Sequence, residues 1–231
     1  IGLVGSEMCI RDSFMRLPVS IKVAFLGMLL ATVMGLPLGV LSAVKQYSPA
    51  DSFLRVASTV LVAMPTFWLA MLLILVFALY LGWLPAGGAL TWQSYILPTI
   101  TVGVPYGSKV LRMTRSTMLE EIRQDYVRTA RSKGVPEKKV IYGHALKNAL
   151  LPVITTIGSA FGAILGGSVI AESVFNLPGL GSLIVLSIKA KDTPSVLASV
   201  LLLAVFFALI MLIVDLVYAF IDPRIKAKYA K

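Results

Sequence analysis

The sequence predicts an all-α integral membrane protein, a polytopic helical bundle of about five spans with one helical loop on the cytoplasmic side. Three observations predict it. Only 14% of the 231 residues are charged and 58% are hydrophobic, whereas about 25% of a soluble domain is charged. The apolar residues lie in uncharged runs about as long as the roughly 20 residues that a helix needs to cross a bilayer. Basic residues collect between alternate runs, as they do in the cytoplasmic loops of membrane proteins.

Residues 1–13, IGLVGSEMCIRDS, start without Met and show no periodic pattern. They resemble a translated library junction more than a secretory signal, which sets basic, apolar and small-residue regions in order. They are expected to be non-native or disordered, with the folded domain over 14–231. The single cysteine, Cys9, excludes an internal disulfide and a thiolate metal cluster.

Val23 to Val44 carries no charge and is long enough for one helical span. The polar link KQYSPAD (Lys45 to Asp51) follows. Val56 to Ser108 is uncharged throughout and too long for one span. It divides at GWLPAGGALTWQ (Gly82 to Gln93), where Gly, Pro and Trp mark an interfacial turn, giving spans at about 56–81 and 95–114. Met64-Pro65, Pro98 and Pro105 mark kinks. Asn148 to Ala171 and Thr193 to Val214 are the remaining uncharged runs. Between them, Ser173 to Ile188 is apolar but short and broken by Pro178, Gly179 and Gly181, which reads as a re-entrant or interfacial element.

Orientation follows from the basic residues. One side receives Lys45 and Arg55, ten Lys or Arg from Lys109 to Lys147, and four from Arg224 onward; the other receives Arg11, Arg16, Lys22, Lys189 and Lys191. Sixteen against five places the first side in the cytoplasm. An odd span count then leaves the N-terminus outside with no signal to carry it there, so a missing first span is expected.

The cytoplasmic loop, 119–149, has a pattern of its own. Thr117 and Glu120 match the S/T-x-x-E capping box. Leu119, Ile122, Tyr126 and Ala130 recur at helical spacing. Acids in the first turn and Arg128, Arg131 and Lys133 in the last suit the helix dipole. Gly134 is placed to end the helix and Pro136 to start a second short one, 136–148. Two amphipathic helices joined by a tight turn can lie on anionic lipid or insert into a soluble partner, and both readings stand on the physics. No nucleic-acid recognition module accompanies the +10 charge.

DYVRTARSKG (Asp125 to Gly134) followed by HALKNALLPVITTIG (His144 to Gly158) resembles the EAA loop of ABC importer permeases, in the dipeptide, oligopeptide and nickel branch. Asp51 to Phe77 with GWLPAGG after it, ESVFNLPGLG (Glu172 to Gly181) and VDLVYAFIDPR (Val214 to Arg224) agree. Arg128-Thr129-Ala130 stands where Glu-Ala-Ala names the loop, and the spacing to Leu151-Pro152 is longer. Both departures look typical of the peptide branch.

The resemblance implies a six-span fold when complete, residing in the bacterial inner membrane. It implies a second homologous permease, ATPase subunits that bind ATP-Mg, and a periplasmic or extracellular solute-binding protein. The loop would dock in a cleft of the ATPase through Asp125, Arg128, Ala130, Lys133, Gly134 and His144. The chain itself would hold no cofactor and perform no covalent chemistry. Peptides, nickel complexes, glutathione and some sugars lie within reach of related permeases.

No G-x-x-x-x-G-K-[ST] string occurs, so any ATP is hydrolysed elsewhere. His144 is the only histidine and cannot build a multi-His metal site. Gly158, Gly162 and Gly166 recur every fourth residue, a small-xxx-small face for helix packing. Asp215 is an acid inside the last span, two turns before Asp222-Pro223-Arg224, expected to be paired or wetted near the cytoplasmic surface. Glu172 is expected to pair with Lys189 or Lys191. The alternative to an importer subunit is an ATP-independent channel or secondary transporter, which would repeat charged or broken half-helices at mid-membrane. A membrane-embedded enzyme would need a convergent Ser/His/Asp or metal-ligand set, and the sequence offers none.

Overall fold

A computed structural model describes the backbone of residues 2–221 and the side chains of 8–214 and of Leu216. The chain is helical, with no strand among the described residues. Helix α1 covers Gly2–Val44, α2 Pro49–Ala63 and α3 Thr66–Leu73, which continues as a π-helical stretch, Ile74–Tyr80. A 3-10 turn, Trp92–Tyr95, leads into α4, Ile96–Ile122. Then come α5, Asp125–Ser132, and α6, Glu137–Lys139, which passes through a π-helical stretch, Val140–Ala145, into α7, Leu146–Val174. Helices α8, Leu180–Lys189, and α9, Thr193–Ile221, complete the order.

Among the described residues, three helical stretches are long and apolar enough to cross a membrane: Met8–Val44, Glu137–Val174 and Thr193–Val214. The pair α2 and α3 adds a fourth if counted as one broken span. The expected span at 56–81 is interrupted at Met64-Pro65, because proline supplies no N–H and its ring excludes the helical turn before it. Helix α4 is long enough, at about 40 Å, yet Lys109, Arg112 and Arg115 charge its second half. It runs through Pro105 without a break.

Helix α1 begins at Gly2 and runs through the first 13 residues into the first long apolar stretch. The Ser13 hydroxyl is buried 2.9 Å from that of Ser199, and the Cys9 thiol lies 3.0 Å from the Ser195 hydroxyl. These contacts give the first turns a polar seam to α9.

The chain divides into two compact units. The first comprises Ile1–Leu30, Met64–Val104 and Ala160–Met211. Its interior holds Phe175, Leu177 and Leu180 with Leu97, Ile164 and Leu165, all fully buried. In this unit α1 and α4 approach closely: a Cβ on Gly103 would lie 2.8 Å from the Gly27 carbonyl oxygen. The loop before α4 is fastened where the Gly88 N–H donates to the Phe175 carbonyl at 2.9 Å.

The second unit comprises Ala31–Ala63, Pro105–Ser159 and Leu212–Lys231. A Cβ on Gly35 would lie 2.5 Å from the Gly107 carbonyl, and one on Gly39 2.5 Å from the Thr114 Cβ. Small residues therefore set the spacing of α1 and α4 here too. This unit also carries the basic loop.

Candidate functional site

The expected capping box does not form. Helix α4 continues past Thr117 to Ile122, and the Thr117 hydroxyl donates back to the Met113 and Thr114 carbonyls at 3.1 and 3.2 Å. A hydroxyl with i−4 and i−3 carbonyls in reach has no free amide to cap. The helix ends in a turn at Arg123-Gln124, and α5 restarts at Asp125. This break resets the helical phase, so the apolar side of α5 is Val127 with Ala130 in place of Tyr126. Val127 is fully buried, whereas Tyr126 is exposed and donates its hydroxyl to the Glu121 carboxylate. Partial burial and that carboxylate push the Tyr126 hydroxyl above its ordinary pKa.

Val127 sits in an apolar cluster with Val40 and Ala43 of α1, Met118 of α4, and Val140, Ile141, Ala145 and Ala149 beyond the turn. Leu119, Ile122, Ala130 and Val135 pack at its edge. Helix α5 has only eight residues, too short to persist alone in water. Its stability comes from this bed.

Gly134 ends α5 with φ +74, in the left-handed region. Its N–H donates to the Arg131 carbonyl at 2.9 Å and the Val135 N–H to that of Ala130 at 3.2 Å. The two bonds form a Schellman cap, and Ala130 with Val135 supplies its usual apolar contact. A Cβ on Gly134 would meet nothing within 4 Å, so the backbone angle alone calls for glycine. Across the turn, Arg131 donates to both Glu137 oxygens at 2.6 and 3.1 Å, which raises the guanidinium pKa.

The predicted loop residues fall into two groups. Asp125, Arg128, Lys133 and Gly134 are exposed, with Arg128 3.7 Å from Asp125. Ala130 faces the apolar bed, and His144 is half-buried on the π-helical stretch. The separate second helix expected at 136–148 is absent; Pro136 starts a stretch that stays helical from Glu137 through α7, and neither Gly143 nor Pro152 ends it. Asp125, Arg128, Lys133 and Gly134 are thus exposed, while Val127 and Ala130 of the same segment lie against the apolar bed.

The bed itself is anchored by Asp51 and Arg115, which local sequence pattern does not bring together. Asp51, fully buried, accepts from Arg115 Nε at 2.7 Å and from Arg115 Nη2 at 2.9 Å. Ser42 donates to it at 2.5 Å and the Tyr47 N–H at 3.0 Å. These contacts tie the α1–α2 link, where Tyr47 has φ +64, to α4. One signal was available: Asp51 is the only acid between Asp12 and Glu120, and a lone acid beside apolar spans requires a partner.

In the first unit, Glu172 is also fully buried, and it forms no ion pair with Lys189 or Lys191. Its carboxylate accepts the Gly181 and Ser182 N–H groups at 2.7 and 3.2 Å and the Ser168 hydroxyl at 3.0 Å. The open amides at the start of α8 lie within reach of the buried carboxylate, whereas Lys189 and Lys191 are exposed. Ser20 accepts the Leu180 N–H at 2.8 Å.

Of the three spaced glycines, Gly158 packs against Val214 in the second unit and Gly162 against Phe207 in the first; Gly166 has nothing within 4 Å of a Cβ. The Asp215 side chain lies outside the described residues. Among the described residues no group of three or more His, Cys, Asp or Glu converges to hold a metal.

Long apolar helices with a short polar helix seated on an apolar bed define a class: a polytopic α-helical membrane protein that presents one helical loop. Within that class, the chain belongs to the family of binding-protein-dependent transport system inner membrane components, which matches residues 35–227. It is 43% identical over 202 residues to the glutathione transport system permease protein GsiC of Escherichia coli K12, covering 87% of this chain and 66% of that one. The GsiC protein of Pectobacterium atrosepticum is 45% identical over 201 residues, covering 86% and 65%. The chain thus spans just under two thirds of these relatives. Its fold is that of a chain from inward-facing structures of the MetNI methionine ABC transporter, with a TM-score of 0.73 at 18% identity over 92% of this chain and 95% of that one. A crystal structure of an amino acid ABC transporter with histidines gives 0.67 at 14% identity over 93% and 94%.

Proposed function

We propose that this chain is the membrane subunit of an ATP-driven importer for peptides or peptide-like solutes such as glutathione. It pairs with a second permease to line the pathway. Separate subunits hydrolyse ATP with Mg, and an external solute-binding protein delivers the cargo. Helix α5 and the Gly134 turn dock on the ATPase from the cytoplasmic side, with Asp125, Arg128 and Lys133 facing it and His144 behind them.

The observation that carries this reading is the division of α5 into two faces. Its apolar residues are spent on the bed beneath, so the outer face offers charge and hydrogen bonds to a soluble partner and little to the acyl region of a lipid. The bidentate Arg131–Glu137 bridge and the Schellman cap stiffen that face. A stiff element can transmit a displacement instead of absorbing it.

Affinity capture of the full-length protein from gently solubilised membranes of its source bacterium tests the reading. Recovery of an ATP-binding subunit, lost when Arg128 and Lys133 are replaced by Glu, is the expected result. Solute uptake by the purified chain alone in vesicles, with no ATPase recovered, would instead mark an ATP-independent transporter.

A further inference from the structure

We propose that the first unit carries a binding pocket for a small anionic solute, recognised through a carboxylate, between α1, the loop before α4 and the Asn176 turn. The pocket is about 520 Å³ and is lined by Arg16, Lys189, Asn176, Ser173 and Ser182, with Leu186 on its apolar wall. That volume lies within the range of roughly 300–1,000 Å³ typical of small-molecule sites.

Two cations from helices far apart in sequence converge here, and no acidic residue lines the pocket. Neither Arg16 nor Lys189 forms an ion pair with a described residue. The nearby carboxylate of Glu172 is fully buried and already committed to Gly181, Ser182 and Ser168, so it does not neutralise them. Guanidinium and ammonium groups facing a partly enclosed space bind carboxylate or phosphate oxygens through charge-assisted hydrogen bonds.

The floor of the pocket is built in advance. Asn176 holds φ +49, a left-handed backbone angle that an asparagine tolerates at some cost, and its side chain is exposed. The turn around it is fixed from both sides: Gly88 donates to Phe175, and the Leu177 N–H to the Glu172 carbonyl at 2.9 Å. Ser20 on α1 holds Leu180. The Ser173 and Ser182 hydroxyls donate to the Val169 and Gly179 carbonyls, each at 2.8 Å. Their proton positions are thereby fixed, and the donors left for a ligand are Arg16, Lys189 and the Asn176 amide. A donor set of two cations and an amide selects an anion.

A carboxylate could come from a free peptide, and the same donors could instead take a lipid phosphate. Binding of tri-alanine and of its C-terminal amide to the purified full-length protein, measured by calorimetry in a neutral detergent, separates these. The expected result is binding of the acid at least about tenfold tighter than the amide, lost in R16Q/K189Q and retained in the charge-conserving R16K/K189R. In a second arm, the protein is placed in phosphatidylcholine nanodiscs with and without phosphatidylglycerol. Competition of phosphatidylglycerol against the tripeptide, dependent on Arg16 and Lys189, confirms an anion site and identifies phosphate as a second ligand. Equal binding of acid and amide, or unchanged binding in R16Q/K189Q with an unaltered melting profile, would overturn the proposal. If neither tri-alanine nor phosphatidylglycerol responds to the two cations, it is likewise rejected. The proposal names a solute class for the importer reading above and rests on it for biological context. Its failure is read in these titrations, whereas failure of the importer reading is read in capture of the ATPase.

Discussion

Asp51 and Arg115, 64 residues apart, meet in a two-pronged ion pair at 2.7 and 2.9 Å, with the carboxylate wholly enclosed. The pair closes the α1–α2 link onto α4 beside the apolar bed that seats α5. Removing one partner leaves the other as an uncompensated buried charge, which typically costs about 3–5 kcal/mol. Asp51→Ala and Arg115→Leu are each expected to lower the melting temperature of the purified protein. The double variant should be less damaging than the sum of the two, and a full additive loss would refute the pairing.

Gly134→Val places a β-branched residue in a left-handed backbone, a cost of about 1–2 kcal/mol. Because a side chain there meets no neighbour, the damage stays local. Membrane insertion is expected to be unchanged while ATPase stimulation by transported solute falls. Hydrogen exchange at 125–135 should rise in the variant.

Val127→Ala removes apolar volume from beneath α5, with an expected loss on the order of 2 kcal/mol. Arg128, Arg131 and Lys133 are exposed tryptic sites. Loosening the helix should speed cleavage at these positions several-fold, with no change in expression. Tyr126→Phe is the contrast: it leaves the bed intact, and its cleavage rate should match the parent.

Glu172→Ala withdraws the acceptor from the Gly181 and Ser182 amides, at about 1–3 kcal/mol for each donor left unsatisfied. Glu172→Gln keeps a carbonyl oxygen at the same reach and should be milder. Thermal unfolding in detergent would rank the parent above Gln and Gln above Ala; equal effects would rule out the capping role.

Gly39→Leu is expected to abolish accumulation of folded protein, because Thr114 stands in the way. Gly166→Ala, with open space around it, should be silent. Size-exclusion profiles of the two variants provide the comparison.

Helix identity and the two-faced loop were legible because uncharged runs and charge clusters are local properties of the sequence. Gly134 could be placed from its position after the last basic residues of α5. The break at Arg123-Gln124 could not, since no Gly or Pro marks it, and missing it assigned the apolar face to Tyr126 in place of Val127. The α1–α4 contacts at Gly35 and Gly39 were hidden for another reason: a close approach at a glycine depends on which helix lies opposite, and that is not a local property. Asp51 with Arg115 and Glu172 with Gly181 depend on which elements meet in space, and charge type alone favoured the exposed lysines for Glu172.

The turn held by Glu172 also has an order of construction. Gly181 lies nine residues from Glu172, so that bond closes a short loop at small entropic cost as soon as the segment leaves the ribosome. The Ser20 bond to Leu180 spans 160 residues, and it can form only after α1 has waited through the synthesis of α2 to α7. The short closure gives the nascent segment its shape first. The distant serine then receives a finished edge, which spares the membrane a long interval with bare amides.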